Sequence, residues 1–403
     1  MQKRLMAGLL AAVAMLAVAP AHSAPPLPQN DPFYKAPNPI PAVRPGTVLK
    51  SRAATIVGLG IPLPLKAWNV MFASTDIHGH PAAAIATIIQ PLTAPATSPR
   101  PLVSYQMAED SDSLACSPSY EMSIGTEKEE PSFMPLLALG WTVVVPDYEG
   151  LKSAFTVGLQ AGRGVLDGIR AAINFKPAGL DGARTPVGLW GYSGGGLASA
   201  WAAEMAPSYA PELNIVGVSA GGVTPYIYDV ARNIDGGPAS GIELAGAVGM
   251  SRAYPQIATL LNAAGRAMAA SIGEQCIEQY VANFPLKKLS SYTTVANPLE
   301  LPWVRAILNA NRLGARKPTA PLFIFHSVAD ELIPIAGVNA LVARYCSLGV
   351  AVTYYQDVAS EHISLAVSGA PAAIAYLAAR FSGARAPSTC GVPMIPALVP
   401  RVV

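Results

Sequence analysis

Short apolar runs alternate with helix-like segments along most of this 403-residue chain. The runs include "WTVVVPD" at 141–147, "VGLWGYS" at 187–193 and "PLFIFHS" at 321–327, and the segment 160–175 carries apolar residues at helical spacing. This alternation is typical of a mostly parallel sheet covered by helices on both faces. The sequence therefore predicts an α/β fold.

One long segment interrupts the alternation. Between 225 and 319 no stretch reads as a strand, and two amphipathic helices are expected, one over 257–268 and one over 277–284. We therefore expect a helical cap at 225–319, inserted into a sheet domain formed by residues 49–224 and 320–386.

The two ends of the chain carry different signals. Residues 1–21 have a basic start, an apolar stretch and then small residues, which predicts a signal peptide, and cleavage at 24 is also possible. The alternative is an N-terminal membrane anchor, although the stretch is shorter than the roughly 20 residues that span a bilayer. Residues 25–48 form a proline-rich extended arm, and residues 387–403 an extended tail. The predicted destination is the outside of the cell, with the periplasm as a possible end point.

Composition limits the partners and the redox state. Lys and Arg (27) nearly balance Asp and Glu (25), which argues against nucleic acid. The four cysteines predict two disulfides in an exported protein, and three pairings remain open. No C-x-x-C pair occurs and no histidine lies near a cysteine, so no metal site is expected.

A serine lies among glycines where an apolar run meets an alanine-rich one. Gly191-Tyr192-Ser193-Gly194-Gly195 matches G-x-S-x-G, the nucleophile elbow, in which a tight turn presents the hydroxyl at the end of a sheet. A second match is centred on Ser219, but β-branched residues and Pro225 follow it where an elbow needs a helix. Ser193 is therefore the predicted nucleophile, and Ser219 is interpreted as a strand-end residue.

A serine nucleophile needs a base, and five histidines are available. In the order serine, acid, histidine, only His362 in "ASEHISL" comes late enough in the chain. The other four are interpreted as residues of the signal junction, of an early turn and of a strand end: His22, His78, His80 and His326.

The acid that orients the histidine should follow a strand. Asp330 lies a few residues beyond the apolar run 321–327, and it is the preferred candidate. Glu331 and Asp357 are its rivals. For the oxyanion hole, one donor should be the main-chain N–H of Gly194, and the other should come from an earlier strand-end loop, for which 147–150 is the best candidate.

These segments together resemble a known family. "GWTVVVPDYEGLKSAF", "GYSGG", "SVADELIP", "SEHISL" and "VSYQMAEDSDSLACSPSY", in their positions along the chain, are similar to the secretory lipase family of the Candida antarctica lipase A type. The resemblance covers most of the chain after the proline-rich arm.

The resemblance implies an α/β-hydrolase fold with a helical cap and no cofactor. It implies Ser193, Asp330 and His362 as the catalytic residues, and Asp147 with Gly194 as the oxyanion hole. An ionised Asp147 would repel an oxyanion, so it would have to donate from its main chain or from a protonated carboxyl; an N-cap role is the alternative.

The cysteine order of the family implies bridges Cys116–Cys276 and Cys346–Cys390.

The expected function is hydrolysis of carboxylic esters of lipids, as in a triacylglycerol lipase. The expected partner is a lipid or ester substrate, and a lipid–water interface is one place where the chain could meet it. The alternatives are a short-chain carboxylesterase or acyltransferase of the same fold, a peptidase of that fold, and a lipid-binding protein without activity.

Overall fold

The computed structural model describes residues 24–93 and 99–391. The predicted signal peptide, and the predicted tail from residue 392 onward, lie outside the described residues. Within the described ranges no single helix is both long enough and apolar enough to cross a membrane. One bent pair of helices, at 362–381, is long and apolar enough only when its two helices are taken together.

The strands, numbered along the chain, are β1 Val48–Ala54, β2 Val57–Gly58, β3 Ile61–Pro62, β4 Leu65–Thr75, β5 Pro81–Pro91, β6 Leu102–Gln106, β7 Thr142–Pro146, β8 Val187–Tyr192, β9 Ile215–Gly221, β10 Leu322–Ser327 and β11 Val352–Asp357. The α-helices are α1 Pro118–Ile124, α2 Glu130–Ala138, α3 Gly158–Asn174, α4 Gly194–Tyr209, α5 Ile227–Ile234, α6 Ser240–Ala253, α7 Ala263–Ile272, α8 Ile277–Asn283, α9 Pro302–Ala310, α10 Ile335–Ser347, α11 His362–Ser368 and α12 Ala370–Phe381.

The described residues form one large sheet with the strand order β1-β4-β5-β7-β6-β8-β9-β10-β11. Neighbouring strands from β7 to β11 are parallel, whereas β1, β4 and β5 pair antiparallel. The predicted mostly parallel sheet is confirmed. Strand β6 lies between β7 and β8, although β7 follows it in the chain, so the loop after β6 borders the end of β8.

Helices cover both faces of the sheet. Alternation along a strand sends neighbouring side chains to opposite faces, so Leu189 and Trp190 of β8 belong to two different apolar clusters. The first cluster also contains residues of α3, α4 and α10, and the second contains residues of α2, α11 and α12. The carboxyl ends of the parallel strands remain available for functional side chains.

Residues 225–319 contain α5 to α9 and no strand, as the sequence predicts. The predicted single helix over 257–268 is wrong, because a 3-10 turn at Pro255–Leu260 is separated from α7. Asn262 is the reason for the break, since its side chain accepts a hydrogen bond from the N–H of Gly265 and caps α7. Apolar residues of this segment form clusters of their own together with the loop around Phe155.

The proline-rich arm is not extended throughout, which corrects the prediction. It forms 3-10 turns at Pro28–Asn30 and Pro32–Tyr34, and the rings of Phe33 and Tyr34 are buried. Arg52 of β1 pairs with Asp31 at 2.5 Å and fixes the second turn to the sheet. Burial of two aromatic side chains, worth about 1.5–3 kcal/mol each, favours the turns over an extended path.

Candidate active site

Ser193 lies between the last residue of β8 and the first residue of α4. Its φ is 55°, a left-handed conformation that is costly for a residue other than glycine. The chain folds back closely here, because a Cβ on Gly191 would overlap the carbonyl group of Gly195. The glycines around the serine therefore permit the tight turn that the G-x-S-x-G motif predicts.

Three side chains from distant parts of the sequence meet at the carboxyl ends of the strands. The Oγ atom of Ser193 lies 2.9 Å from Nε2 of His362, and Nδ1 of the same ring lies 2.7 Å from Oδ2 of Asp330. Asp330 follows β10, and His362 follows β11 as the first residue of α11. The arrangement can pass a proton from the serine to the imidazole while the carboxylate fixes the ring.

Asp330 is held as a carboxylate. Burial opposes its ionisation, but hydrogen bonds from His362 and from the N–H of Ile333 at 2.7 Å outweigh that effect, so its pKa lies below the ordinary value. The N–H of Leu332 donates to the same Oδ1 atom at 3.0 Å. A fixed negative charge here favours the imidazolium form that His362 takes during proton transfer.

The histidine is positioned through its main chain. The hydroxyl of Tyr192 donates to the carbonyl of His362 at 2.6 Å, and the N–H of His362 donates to Glu331 at 3.1 Å. Glu361 accepts from the N–H of Ser364 at 2.8 Å and caps α11. The elbow tyrosine and both neighbouring acids therefore fix the loop that carries the imidazole.

The rival residues of the sequence have structural roles. Asp357 accepts from the N–H of Ser360 at 2.6 Å and from the hydroxyl of Tyr355 at 2.8 Å, so it stabilises a turn. Ser219 is fully buried, and its hydroxyl donates to the carbonyl of Ala373 at 3.2 Å. Neither residue is free to serve the triad.

The other described histidines divide into two groups. His78 and His80 lie in the exposed turn between β4 and β5. His326 is fully buried, with its Nε2 atom 2.9 Å from the carbonyl of Ile333 and 3.4 Å from Oδ2 of Asp330. Burial lowers the pKa of His326, so its ring is neutral and donates from Nε2. His22 lies outside the described residues.

Gly194 occupies the place expected for an oxyanion donor. It is the first residue of α4, and the N–H groups of a first helical turn have no partner within the helix. These groups point toward the space next to the serine and favour negative charge.

Asp147, which the resemblance implies as the second oxyanion residue, makes its hydrogen bonds to other groups in the structure. Its main-chain N–H donates to the carbonyl of Ile85 at 2.8 Å. Its carboxyl accepts from the N–H of Ser119 at 3.0 Å and from the Ser119 hydroxyl at 2.5 Å. Burial raises the pKa of Asp147 to about 7, although the hydrogen bonds from Ser119 act to lower it. Every group that the proposed role requires is already engaged.

Asp110, in the loop after β6, lies where Asp147 was expected. A Cβ on Gly194 would overlap Oδ1 of Asp110, so the carboxyl lies directly against the nucleophile's neighbour. The main-chain carbonyl of Asp110 accepts a hydrogen bond from Tyr280 in α8. Burial raises the pKa of Asp110 to about 6, with the charge of His362 acting in the opposite direction. The sequence signal that could have identified it is the carboxylate-rich run directly after a buried strand.

A cavity of about 400 Å³ opens at Ser193 and His362, within the range of small-molecule sites. The lining from the 225–319 segment is mostly apolar, with Ile227, Val230, Ala231, Ile234 and Ile242, and it also contains Glu243 and Glu278. Within residues 24–93 and 99–391, no cluster of His, Cys, Asp or Glu is arranged to hold a metal ion.

Both disulfides that the resemblance implies are present. Cys116 is bonded to Cys276, and Cys346 to Cys390. The first joins the loop after β6 to the start of α8, and its two cysteines also line the cavity. The loop that carries Asp110 is therefore tied covalently to the helical segment.

Comparisons with known proteins show the family to which the chain belongs. The family model described as secretory lipase matches residues 117–389. Lipase A of Arthroderma benhamiae is 37% identical over 395 residues, which cover 92% of this chain and 83% of that protein. A protein of Mycobacterium tuberculosis named a probable inactive lipase is 37% identical over 373 residues, covering 89% of this chain and 83% of that protein.

A solved structure is similar over nearly the whole chain. The crystal structure of Candida antarctica lipase A in its closed state superimposes with a TM-score of 0.86 at 31% identity, over 94% of this chain and 91% of that chain. The chain therefore belongs to the secretory lipase family, has the α/β-hydrolase fold and is a carboxylic ester hydrolase.

Proposed function

We propose that this chain is an exported triacylglycerol lipase that works through a Ser193–His362–Asp330 triad and an acyl-enzyme. The observation that carries the proposal is the continuous hydrogen-bonded path from Ser193 Oγ to His362, at 2.9 Å, and from His362 to Asp330, at 2.7 Å.

Acylation begins when His362 takes the proton of Ser193 and the serine oxygen attacks the ester carbonyl. Collapse of the tetrahedral intermediate breaks the bond to the alcohol, which leaves with the proton from His362. Water then attacks the acyl-serine by the same route, and the acid is released. Asp330 keeps the ring oriented and stabilises its positive form in both halves.

The oxyanion is stabilised by the N–H of Gly194 and by the protonated carboxyl of Asp110. A neutral carboxyl donates a hydrogen bond, whereas its ionised form would repel the developing charge. This assignment replaces Asp147 and is supported by the contact between Asp110 and Gly194.

The acyl chain lies in the apolar cavity. Residues 225–319 act as a helical cap on a core of residues 49–224 and 320–386, and the mostly apolar lining that the cap contributes favours a hydrocarbon chain over a polar group. This preference supports a lipid ester over a small soluble ester.

Export is supported by the signal-like residues 1–21 and by the two disulfides, which persist in oxidising compartments.

Titration with a serine-directed phosphonate tests the mechanism. We expect stoichiometric labelling of the full chain, complete loss of labelling in Ser193→Ala, and unchanged labelling in the matched variant Ser219→Ala. Labelling that survives in Ser193→Ala would refute the assigned nucleophile, and an unlabelled native chain would favour a binding protein.

A chain-length series tests the substrate. Rates on triacylglycerols should persist from butyryl to long acyl chains. Rates that peak at acetyl and vanish beyond butyryl would establish the short-chain carboxylesterase instead. Preferential transfer of the acyl group to an added alcohol would establish the acyltransferase.

A further inference from the structure

Four large aliphatic side chains are exposed close to the catalytic acid and base. Val328 and Val358 are 42% and 43% exposed in the loops that follow β10 and β11, and Ile363 and Val367 are 66% and 74% exposed on α11. We call these four residues the apolar rim. Exposed aliphatic groups that cluster around a functional site mark a contact surface more strongly than scattered ones.

The rim is continuous with the catalytic machinery. The N–H of Val328 donates to the carbonyl of Asp357 at 2.7 Å, which places the two loops side by side. Ile363 and Val367 are one helical turn apart on the helix that begins with His362, and both border the cavity that contains Ser193. A surface that covers Ile363 and Val367 would also cover the side of the cavity that these two residues border.

The charges around the rim decide what kind of surface fits. Segments 328–334 and 357–368 contain four acidic residues, Asp330, Glu331, Asp357 and Glu361, and neither segment contains Lys or Arg. Glu331 and Glu361 are exposed. An anionic phospholipid surface would be repelled by these carboxylates. An uncharged lipid surface bears no such penalty.

We propose that the apolar rim docks the enzyme onto the surface of uncharged acylglycerols, so that the cavity opens directly against its substrate. This inference rests on the proposed lipase function and identifies the surface that the function would use. Transfer of the four side chains from water into lipid provides the attraction, and the acidic residues between them select against anionic membranes.

Flotation with trioleoylglycerol droplets tests the docking without turnover when every protein carries Ser193→Ala. Adding Ile363→Ser and Val367→Ser should lower the partition coefficient on the order of 10-fold or more, because two large exposed aliphatic groups no longer enter the lipid.

The matched control is Leu92→Ser with Leu139→Ser, at residues 51% and 50% exposed. Leu92 follows β5, which runs antiparallel to β7, and Leu139 precedes β7. Both residues therefore lie at the amino end of β7, opposite the carboxyl ends of the strands where the triad lies. This control should bind droplets like the parent. Equal losses in the rim variant and the control would overturn the proposal.

A second pair separates docking from catalysis. Val328→Ser with Val358→Ser, in the active chain, should lower the rate on emulsified trioleoylglycerol and leave hydrolysis of a dissolved butyrate ester unchanged. If Val328→Ser with Val358→Ser leaves both rates unchanged, the proposal that the apolar rim docks the enzyme is refuted. If the native chain hydrolyses neither the emulsified nor the dissolved ester, the proposed function is refuted. Droplet binding by the Ser193→Ala proteins would still test the apolar rim.

Vesicles of phosphatidylglycerol provide the last comparison. The Ser193→Ala protein should bind them more weakly than trioleoylglycerol droplets at equal lipid surface. Tighter binding to the vesicles would overturn the assignment of an uncharged surface.

Discussion

The carboxyl of Asp110 lies against Cα of Gly194, so close that any side chain at position 194 would overlap it. This contact places an acid of raised pKa beside the main-chain donor that adjoins the nucleophile. In the proposed mechanism, the protonation state of this carboxyl therefore decides whether the oxyanion meets a donor or a negative charge.

The pH dependence of the reaction should report this state. Burial raises the pKa of Asp110 to about 6, so the carboxyl is protonated and able to donate below that pH and is ionised above it. We expect kcat/KM to decline as the pH rises through about 6. In Asp110→Asn the amide donates at every pH, so this decline should disappear from the pH profile of a dissolved ester.

Asp147→Asn is the control for that profile, because Asp147 has a similar raised pKa but bonds to Ser119. Its profile should keep the decline near pH 6. Glu109 and Glu149 also interact electrostatically with Asp110, so a decline that persists in Asp110→Asn would point to one of these two carboxyls instead.

Gly194→Ala should impair catalysis without unfolding the protein. The added Cβ displaces the Asp110 carboxyl and disturbs both proposed oxyanion donors, and loss of one such donor costs roughly 10²–10³ in kcat. Steady-state kinetics on a dissolved ester and a thermal melt measure the two effects. A variant with native kcat would show that the contact has no catalytic consequence.

His326 should act through Asp330. Its Nε2–H points between the carbonyl of Ile333 and the Asp330 carboxylate. In His326→Leu the Asp330 carboxylate loses a polar neighbour 3.4 Å away and attracts the His362 proton more strongly, so the acidic limb of kcat/KM should move to higher pH. Because the carboxylate is then less firmly positioned against the imidazole, we expect kcat/KM to fall by roughly 10-fold.

His326→Gln retains an N–H donor and should restore both the rate and the acidic limb to near the native values. If both variants lose activity while the acidic limb of kcat/KM stays at its native pH, His326 has only a packing role.

The disulfide Cys116–Cys276 should contribute more stability than Cys346–Cys390. The first closes a separation of 160 residues and the second one of 44. Chain entropy predicts losses of about 5 and about 4 kcal/mol for the corresponding double Cys→Ser variants. Urea unfolding measures both, and a larger loss for the second pair would contradict the entropic argument.

Local sequence was sufficient for most of the elements. The strands around 141–147, 187–193 and 321–327 and the helix over 160–175 are present, because each has a clear apolar period and a marked end. The helix predicted over 257–268 failed, because the capping side chain of Asn262 interrupts a continuous apolar pattern. The prediction of an extended proline-rich arm failed in part, because the burial of Phe33 and Tyr34 against the sheet depends on tertiary structure.

The sequence by itself determined the elbow at Ser193 and the order in which Asp330 and His362 follow it, because a strained turn needs glycines and each partner must follow a strand. Only the tertiary structure decided which earlier loop adjoins Gly194. The chain passes from β6 to β7 before β8, but the sheet places β6 next to β8. Strand order is fixed by long-range pairing and packing, so Asp110 reaches the site and Asp147 does not.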